Sequence, residues 1–327
     1  RRYFQGHDLS GVTVGDPFMG GGTPLFEANR LGADVVGADV NPMAYWIVRQ
    51  ELAPLDVERF EEAVKTVTER VEEKVGPLYR TECLHCGESV PVKYFLWVKN
   101  ISCETCEETI DLFSRHVVAK NQRHPDHVLV CPECRALNEF ETLDDEESLV
   151  CRDCSSVVPV DGPAGRSRCT CPHCGEENEY PKGEGPPEHR LYAMEYHCDA
   201  CYDDHDGRFF KAPDERDFEH YAEAQQRLAE RPLTFVPDDE IPPGDESDRL
   251  HRWGYERYRQ LFNDRQLLGL DVLSAAIHDV EEQFVREALL TVFSDTLRYQ
   301  NMLCRYDTYA LKIQDIFSVH GFPVGLT

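Results

Sequence analysis

Val12–Pro42 reads VTVGDPFMGGGTPLFEANRLGADVVGADVNP, and the order of residue types in it decides the fold. The apolar run Val12–Val14 has the length and branching of a buried strand. Asp16-Pro17-Phe18 follows, then Gly20, Gly21 and Gly22. Thr23 suits a helix N-cap with Pro24 at the first helical position, where a missing N–H costs nothing. Leu25, Phe26, Ala28 and Leu31 give that helix an apolar face, and Gly32 ends it. A second strand, Asp34–Ala38, leads into Asp39. The expectation is a strand, a glycine loop, a helix and a second strand with an acid at its tip.

Each part of that unit has a chemical use. Glycines let the backbone approach a ligand, and a helix N-terminus offers free N–H groups. An acid at the tip of the second strand can accept hydrogen bonds from both ribose hydroxyls. A dinucleotide loop carries GxGxxG without an acid in front, whereas here Asp16 precedes the glycines. The pattern D-P-F-x-G-x-G-T, covering Asp16, Pro17, Phe18, Gly20, Gly22 and Thr23, resembles motif I of S-adenosylmethionine-dependent DNA amino-methyltransferases. Asp39-Val40-Asn41-Pro42 resembles that family's D-x-N-P ribose-binding turn. The resemblance implies that the glycine loop curls around the methionine part of S-adenosylmethionine and that Asp39 holds the ribose, with Asn41 and Pro42 shaping the turn. The plain alternative is a generic α/β unit whose glycines only make a tight turn.

The 327 residues suffice for two or three domains. Asp and Glu number 61 against 34 Lys and Arg, a net charge of −27. Acid spread through periodic segments reads as a salt-adapted surface or as a face for a basic partner, not as a disordered tail. It argues weakly against DNA binding, which needs local Lys and Arg, although high salt screens that term. No apolar run of about 18 residues and no signal peptide are visible, so a soluble, cytoplasmic protein without a membrane partner is expected.

Of the 14 cysteines, all but Cys304 lie between Cys83 and Cys201, mostly as CxxC pairs. Paired cysteines in a reducing compartment usually hold metal. Taken in chain order they form three four-thiolate sets: Cys83, Cys86, Cys103 and Cys106; Cys131, Cys134, Cys151 and Cys154; Cys171, Cys174, Cys198 and Cys201. The gaps inside the sets, 16, 16 and 23 residues, suit hairpins that bring two knuckles together around a structural zinc. Cys169 is left over as a spare thiol or an alternative ligand of the third set. His85, His173 and His197 adjoin ligands, but closed sets leave them no vacancy.

The remaining segments divide as follows. Residues 1–10, with two Arg and a Tyr-Phe pair, read as a frayed lead-in or a substrate contact. Met43–Leu52 and Val57–Lys74 have helical periodicity, with Trp46 either in the core or bordering an adenine pocket. Ser114–His127 carries Arg115, His116, Lys120, Arg123, His124 and His127, which suits a phosphate backbone or a solvated linker. Glu215–Glu230 reads as helix and Pro232–Asp248 as linker. His251–Leu261, Arg265–Val280 and Glu281–Asn301 read as helices. In Arg298–Lys312, Arg298, Arg305 and Lys312 alternate with Tyr299, Tyr306 and Tyr309, which suits base stacking with phosphate contact or a plain helix surface.

The layout, with YFLWVK, LFNDRQLL and NMLCRYD, resembles a subgroup of adenine-specific DNA methylases that carries zinc ribbons inserted after the cofactor-binding strands. The implied fold class is α/β: a partial Rossmann-like methyltransferase core over residues 1–77, a β-rich ribbon insertion over 78–215 and a helical segment over 216–327. The implied cofactors are S-adenosylmethionine and zinc, and the implied partner is DNA. The family's second motif, (D/N/S)-P-P-(Y/F/W), grips the flipped base and its amine. It is absent from Arg1–Thr327: Pro186-Pro187 follows Gly185, Pro242-Pro243 follows Ile241, and no aromatic follows either. The chain thus reads as truncated before that motif, and no catalytic residue can be named. The expectation is the cofactor and ribbon portion of a methyltransferase, its missing motif supplied by a continuation or a partner polypeptide. The other reading is a non-catalytic zinc-ribbon subunit with a vestigial cofactor fold.

Overall fold

The computed structural model describes residues 7–144, 149–183, 185–231, 234–318, 322, 324 and 325. Arg1–Gly6 of the lead-in and Pro232 and Leu233 of the acidic linker lie outside these residues. The chain is mixed α/β with several small sheets. In chain order the first elements are β1 (Thr13–Asp16), α1 (Thr23–Arg30), β2 (Asp34–Gly37), α2 (Pro42–Leu52) and α3 (Val57–Val75). The ribbon region contains β3 (Arg80–Glu82), β4 (Ser89–Ser102), β5 (Thr109–Asp111), β6 (Val117–Ala119), β7 (His127–Val130) and β8 (Leu137–Phe140). It continues with β9 (Arg168–Thr170), β10 (Glu177–Glu179), β11 (Glu188–His197) and β12 (Arg208–Lys211). After these come α4 (Glu215–Ala229), α5 (Asp248–Arg252), α6 (Asp264–His278), α7 (Gln283–Thr296), β13 (Arg305–Asp307) and β14 (Lys312–Gln314). No helix among the described residues is long and apolar enough to cross a membrane.

The contacts divide the chain into two compact units: Arg1–Arg70 with Ser274–Asp295, and Val71–Leu273 with Thr296–Thr327. None of the three breaks, at 70/71, 273/274 and 295/296, falls at 77/78 or 215/216. In the first unit β1 and β2 pair in parallel, Thr13 opposite Asp34 and Asp16 opposite Gly37. Parallel strands need a crossover, and α1 supplies it, burying Leu25 and Ala28. Met19, Leu25 and Val48 form the local core. Helix α7 is tied to α2: Trp46 Nε1 donates to Thr291 Oγ1 at 2.9 Å, and Arg49 pairs with Glu287 at 2.9 Å. Trp46 is therefore half-buried in a helix contact. The Val12–Val14 run is not a buried strand: β1 begins at Thr13 and alternates exposed with half-buried positions.

In the second unit an antiparallel sheet runs β12-β11-β4-β3, with β5 also on β4. β4 is 14 residues long and pairs with β11 from Tyr196–Val92 at one end to Glu188–Asn100 at the other. Val98, Val118, Tyr192, Ala193 and Phe210 are buried around it. A second sheet, β6-β7-β8, carries the central cysteine hairpin.

One expected helix is replaced, and a segment for which a helix surface was one of two readings is not a helix throughout. Over His251–Leu261 the helix stops at Arg252, because Gly254 takes φ +80° and its α-carbon packs against the Gly185 backbone. Tyr258–Leu261 then forms one 3-10 turn. Arg298–Lys312 is not a continuous helix: its second half enters the β13–β14 hairpin, with Leu311 at φ 49°. Asn263 caps α6, its Oδ1 accepting from Gln266 N at 2.9 Å while Gln266 Oε1 accepts from Asn263 N.

Candidate functional site

Three cysteine tetrads could hold zinc: Cys83, Cys86, Cys198 and Cys201; Cys103, Cys106, Cys171 and Cys174; Cys131, Cys134, Cys151 and Cys154. All twelve expected ligands are used, but only the central set joins neighbours in sequence. The first and third sets are corrected by exchange of partners. β4 separates Cys86 from Cys103 by a continuous strand, placing the two knuckles on the order of 40 Å apart at about 3.3 Å per residue. β11 runs back along β4, so its end meets the start of β4 and brings Cys198 and Cys201 to Cys83 and Cys86. Cys171 and Cys174, ahead of β11, meet Cys103 and Cys106 at the far end. The tetrads are nested, with the central hairpin between the two pairs in sequence.

The sulfur geometry fits the ion. Sγ–Sγ separations are 3.9 Å for Cys83–Cys201, 3.6 Å for Cys86–Cys198 and Cys103–Cys174, and 3.7 Å for Cys106–Cys171. In the central set they are 3.7 Å for Cys131–Cys154 and 3.4 Å for Cys134–Cys151. A tetrahedron with Zn–S of about 2.3 Å has edges of about 3.8 Å. Five of the six knuckles make one turn, in which the residue after the second cysteine adopts a left-handed backbone: Gly87, Glu107, Arg135, Ser155 and Gly175. Its N–H donates to the carbonyl of the first cysteine, as Gly87 N does to Cys83 O at 2.9 Å. The sixth, Cys198–Cys201, is a 3-10 turn.

Each tetrad also has one buried polar side chain that sequence reasoning missed. Asn138 Nδ2 donates to Cys151 Sγ at 3.4 Å, and its Oδ1 accepts from Arg152 N at 2.9 Å. Asn178 does the same for Cys103 Sγ, at 3.5 Å, and Glu104 N, at 2.8 Å. In the third, Tyr196 Oη donates to Cys83 Sγ at 3.8 Å and accepts from Leu84 N at 3.0 Å. The signal was present: CPECRALN and CPHCGEEN share an Asn four residues past the second cysteine. Donors aimed at sulfur favour the thiolate that binds metal. Backbone N–H groups of Cys106 and Thr105, with the Asn178 amide, hold Cys103 down to about 6.

Cys169 is in no tetrad; it is buried among apolar side chains, and burial pushes its thiol up to about 11. His85, His173 and His197 belong to none of the tetrads; the His85 ring lies tilted against Phe209 and His197 faces Asp199. Within Ser114–His127, His116 and His124 are buried and Val117–Ala119 is a buried strand, while Arg115 and Arg123 are exposed.

In the first unit the glycine loop and its acids gather at the carboxyl ends of the parallel pair. Asp39 Oδ2 accepts from Gly20 N at 2.9 Å and Oδ1 from Asn41 N at 2.8 Å. The N–H groups of Asn41 and then Gly20 hold its carboxyl below the ordinary value, so it is ionised. Asp16 Oδ1 accepts from Phe18 N at 3.1 Å, turning the chain at Pro17. Asn41 Oδ1 caps α2 through Met43 N, with Pro42 at the first helical position. Gly22, not Thr23, is the N-cap of α1; Thr23 is its first residue. Gly22 has φ +75°, and a Cβ there would lie 2.6 Å from Val48 Cγ2. Gly20 and Gly21 face open space.

A cavity of about 540 Å³ lies in the second unit, and YFLWVK, LFNDRQLL and NMLCRYD all contribute to its walls, through Phe95, Arg265 and Tyr306 among others. Lys99 lines it, and burial pushes its ammonium down to about 7. Comparison of the chain with protein-family models, with curated proteins and with solved structures returns no match.

Proposed function

We infer that this chain is the cofactor-binding and zinc-ribbon portion of a DNA amino-methyltransferase. The observation that carries the reading is the position of Asp39. Ligands of open α/β sheets bind beyond the carboxyl ends of parallel strands. There the Asp39 carboxylate and the open Gly20-Gly21 backbone stand together, joined by one hydrogen bond. Each carboxylate oxygen keeps a free lone pair for a ribose hydroxyl. The glycine loop would take the methionine end of S-adenosylmethionine, as motif I does in the family it resembles. Val36 and Val40 are 62% and 98% exposed, and Phe18 84%. Parallel strands are normally covered on both faces. Such apolar exposure around β1 and β2 supports completion of a Rossmann-like core by further polypeptide, which would also bring the (D/N/S)-P-P-(Y/F/W) motif.

Zinc in the three tetrads would hold the ribbon region together, since small β modules lack much core of their own. The cavity's aromatic rings, amides and cations, among them Trp97, Asn263 and Lys93, have the chemistry that stacks and hydrogen-bonds a base. The test is transfer of tritiated methyl groups from S-adenosylmethionine to unmethylated genomic DNA, with adenine the expected target. Transfer should require a polypeptide carrying the missing motif and should fall with Asp39→Ala. Transfer by the 327-residue chain alone would place catalysis on other residues. No transfer with the motif supplied, together with DNA binding, would favour the non-catalytic ribbon subunit.

A further inference from the structure

Beyond the cysteine tetrads, His124, Glu139 and His205 place one nitrogen or oxygen atom each within 4.8 Å of one another. They come from three places in the second unit. His124 precedes β7, Glu139 lies on β8 of the central hairpin, and His205 follows the Cys198–Cys201 knuckle. The His124 side chain is 1% exposed, that of His205 17% and that of Glu139 37%, so solvent reaches the cluster past the carboxylate.

A hydrogen bond fixes which ring nitrogen of His124 is bare. His124 Nδ1 lies 3.0 Å from the carbonyl oxygen of Asp126. A carbonyl only accepts, so Nδ1 carries the proton and neutral His124 presents a lone pair at Nε2. That Nε2 is buried, has no hydrogen-bond partner among the described residues and faces Glu139 Oε1 at 3.7 Å. His205 Nε2 lies 3.2 Å from the Asp204 carboxylate, and its Nδ1 is buried and has no hydrogen-bond partner among the described residues. The bare nitrogen of His124, a ring nitrogen of His205 and the carboxylate thus lie within 4.8 Å of one another, an arrangement a cation resolves. The other nitrogen of His124 is held by a carbonyl oxygen, which is how metal-binding histidines are usually oriented, and Nε2 of His205 lies beside the Asp204 carboxylate.

The surroundings hold the ligands in place. His124 and His205 rings stack at 4.8 Å, and Phe210 meets His124 edge-on at 5.4 Å. Arg208 Nη1 donates to the carbonyl of Arg123 and fixes the loop. His205 and Asp206 take φ 51° and 50°, conformations non-glycine residues rarely adopt, and this turn directs the His205 ring to the cluster.

We propose that His124 Nε2, His205 Nδ1 and the Glu139 carboxylate bind a fourth divalent transition ion, of the zinc class, with a coordination position left to water. Two imidazoles and a carboxylate suit such an ion, and three protein ligands leave its shell open, unlike the closed thiolate tetrads. The ion would fasten the central hairpin to the nested ribbon. This inference stands whether or not the chain takes part in methyl transfer.

The test is metal content of the full chain at saturating zinc, with cobalt substitution to watch the thiolate sites separately. Wild type should hold four equivalents. His205→Ala and Glu139→Gln should each hold three, with the thiolate-to-cobalt bands of the tetrads unchanged. Asp204→Asn should weaken the fourth cobalt by about 10–100-fold, the usual cost of losing a partner behind a ligand. Those bands report whether a variant has kept its tetrads, and partly exposed Glu139→Gln decides if His205→Ala loses them. Three equivalents in wild type, or four retained in both variants, would overturn the proposal.

Discussion

Cys198→Ser separates nested pairing from pairing of neighbours in sequence. In the nested arrangement Cys198 shares its ion with the Cys83–Cys86 knuckle, across the β4–β11 ladder. A structural zinc contributes an apparent 10–16 kcal/mol or so near neutral pH, so the intact knuckle opens only with the sheet. Without the ion the knuckle keeps two backbone bonds, Gly87 N to Cys83 O and Cys83 N to Glu88 O, both 2.9 Å. At about 0.5–1.5 kcal/mol each, they leave residual amide protection on the order of 10–100-fold. Hydrogen exchange in Cys198→Ser should therefore show Cys83 and Gly87 falling to that level. Cys103–Glu107 and Cys171–Gly175, at the other end of the ladder, should keep wild-type protection. Metal content should fall by one equivalent. Loss of protection at Cys171–Gly175, with Cys83–Gly87 unchanged, would refute the nested assignment.

Three other perturbations follow from the geometry. Asn178→Ala removes the amide behind Cys103 and should weaken metal in that tetrad by about 10–100-fold in a competition titration, leaving the other two unchanged. Gly22→Ala combines a left-handed backbone with overlap on Val48 and Phe26, and should cost about 2–4 kcal/mol in denaturant melts of the first unit. Burial, reinforced by Lys99, pushes His189 down to about 3. Between pH 6.5 and 3 the unfolded chain takes a proton that the folded chain refuses, so stability is full above 6.5 and is lost as pH falls through that window. His189→Gln should remove a slope of up to about 1.4 kcal/mol per pH unit there, measured by denaturation at several pH values.

The sequence announced individual features better than their partners. All twelve cysteines that gather into tetrads were legible, because CxxC with a following turn residue is a local signal. The pairing was not, because it depends on β4 running unbroken where a hairpin was expected. Val92–Lys99 holds no Gly, Pro, Asn, Asp or Ser to reverse the chain, and that continuity was the overlooked clue. The strand, glycine loop, helix and acid of Val12–Pro42 were legible as a unit, since Gly22 and Gly32 punctuate it at fixed positions. How exposed its two strands stand was not, because apolar residues do not state what covers them. The helix read over His251–Leu261 failed where a tertiary contact overrides periodicity, Gly254 against Gly185, and the helix-surface reading of Arg298–Lys312 failed where Tyr306 meets Glu195. His124, Glu139 and His205 share no spacing at all, and only the fold brings them together.

The central claim, that Val12–Pro42 holds S-adenosylmethionine, is tested most directly by calorimetric titration of the full chain with that cofactor at matched high salt. Wild type should bind one equivalent. Trp46→Phe, which removes the N–H to Thr291 and keeps an aromatic ring beside Arg49, should bind nearly as well. Asp39→Ala should bind on the order of 10–100-fold more weakly, the loss of hydrogen bonds to a charged group. No binding by wild type, or equal and small losses for both variants, would contradict the account.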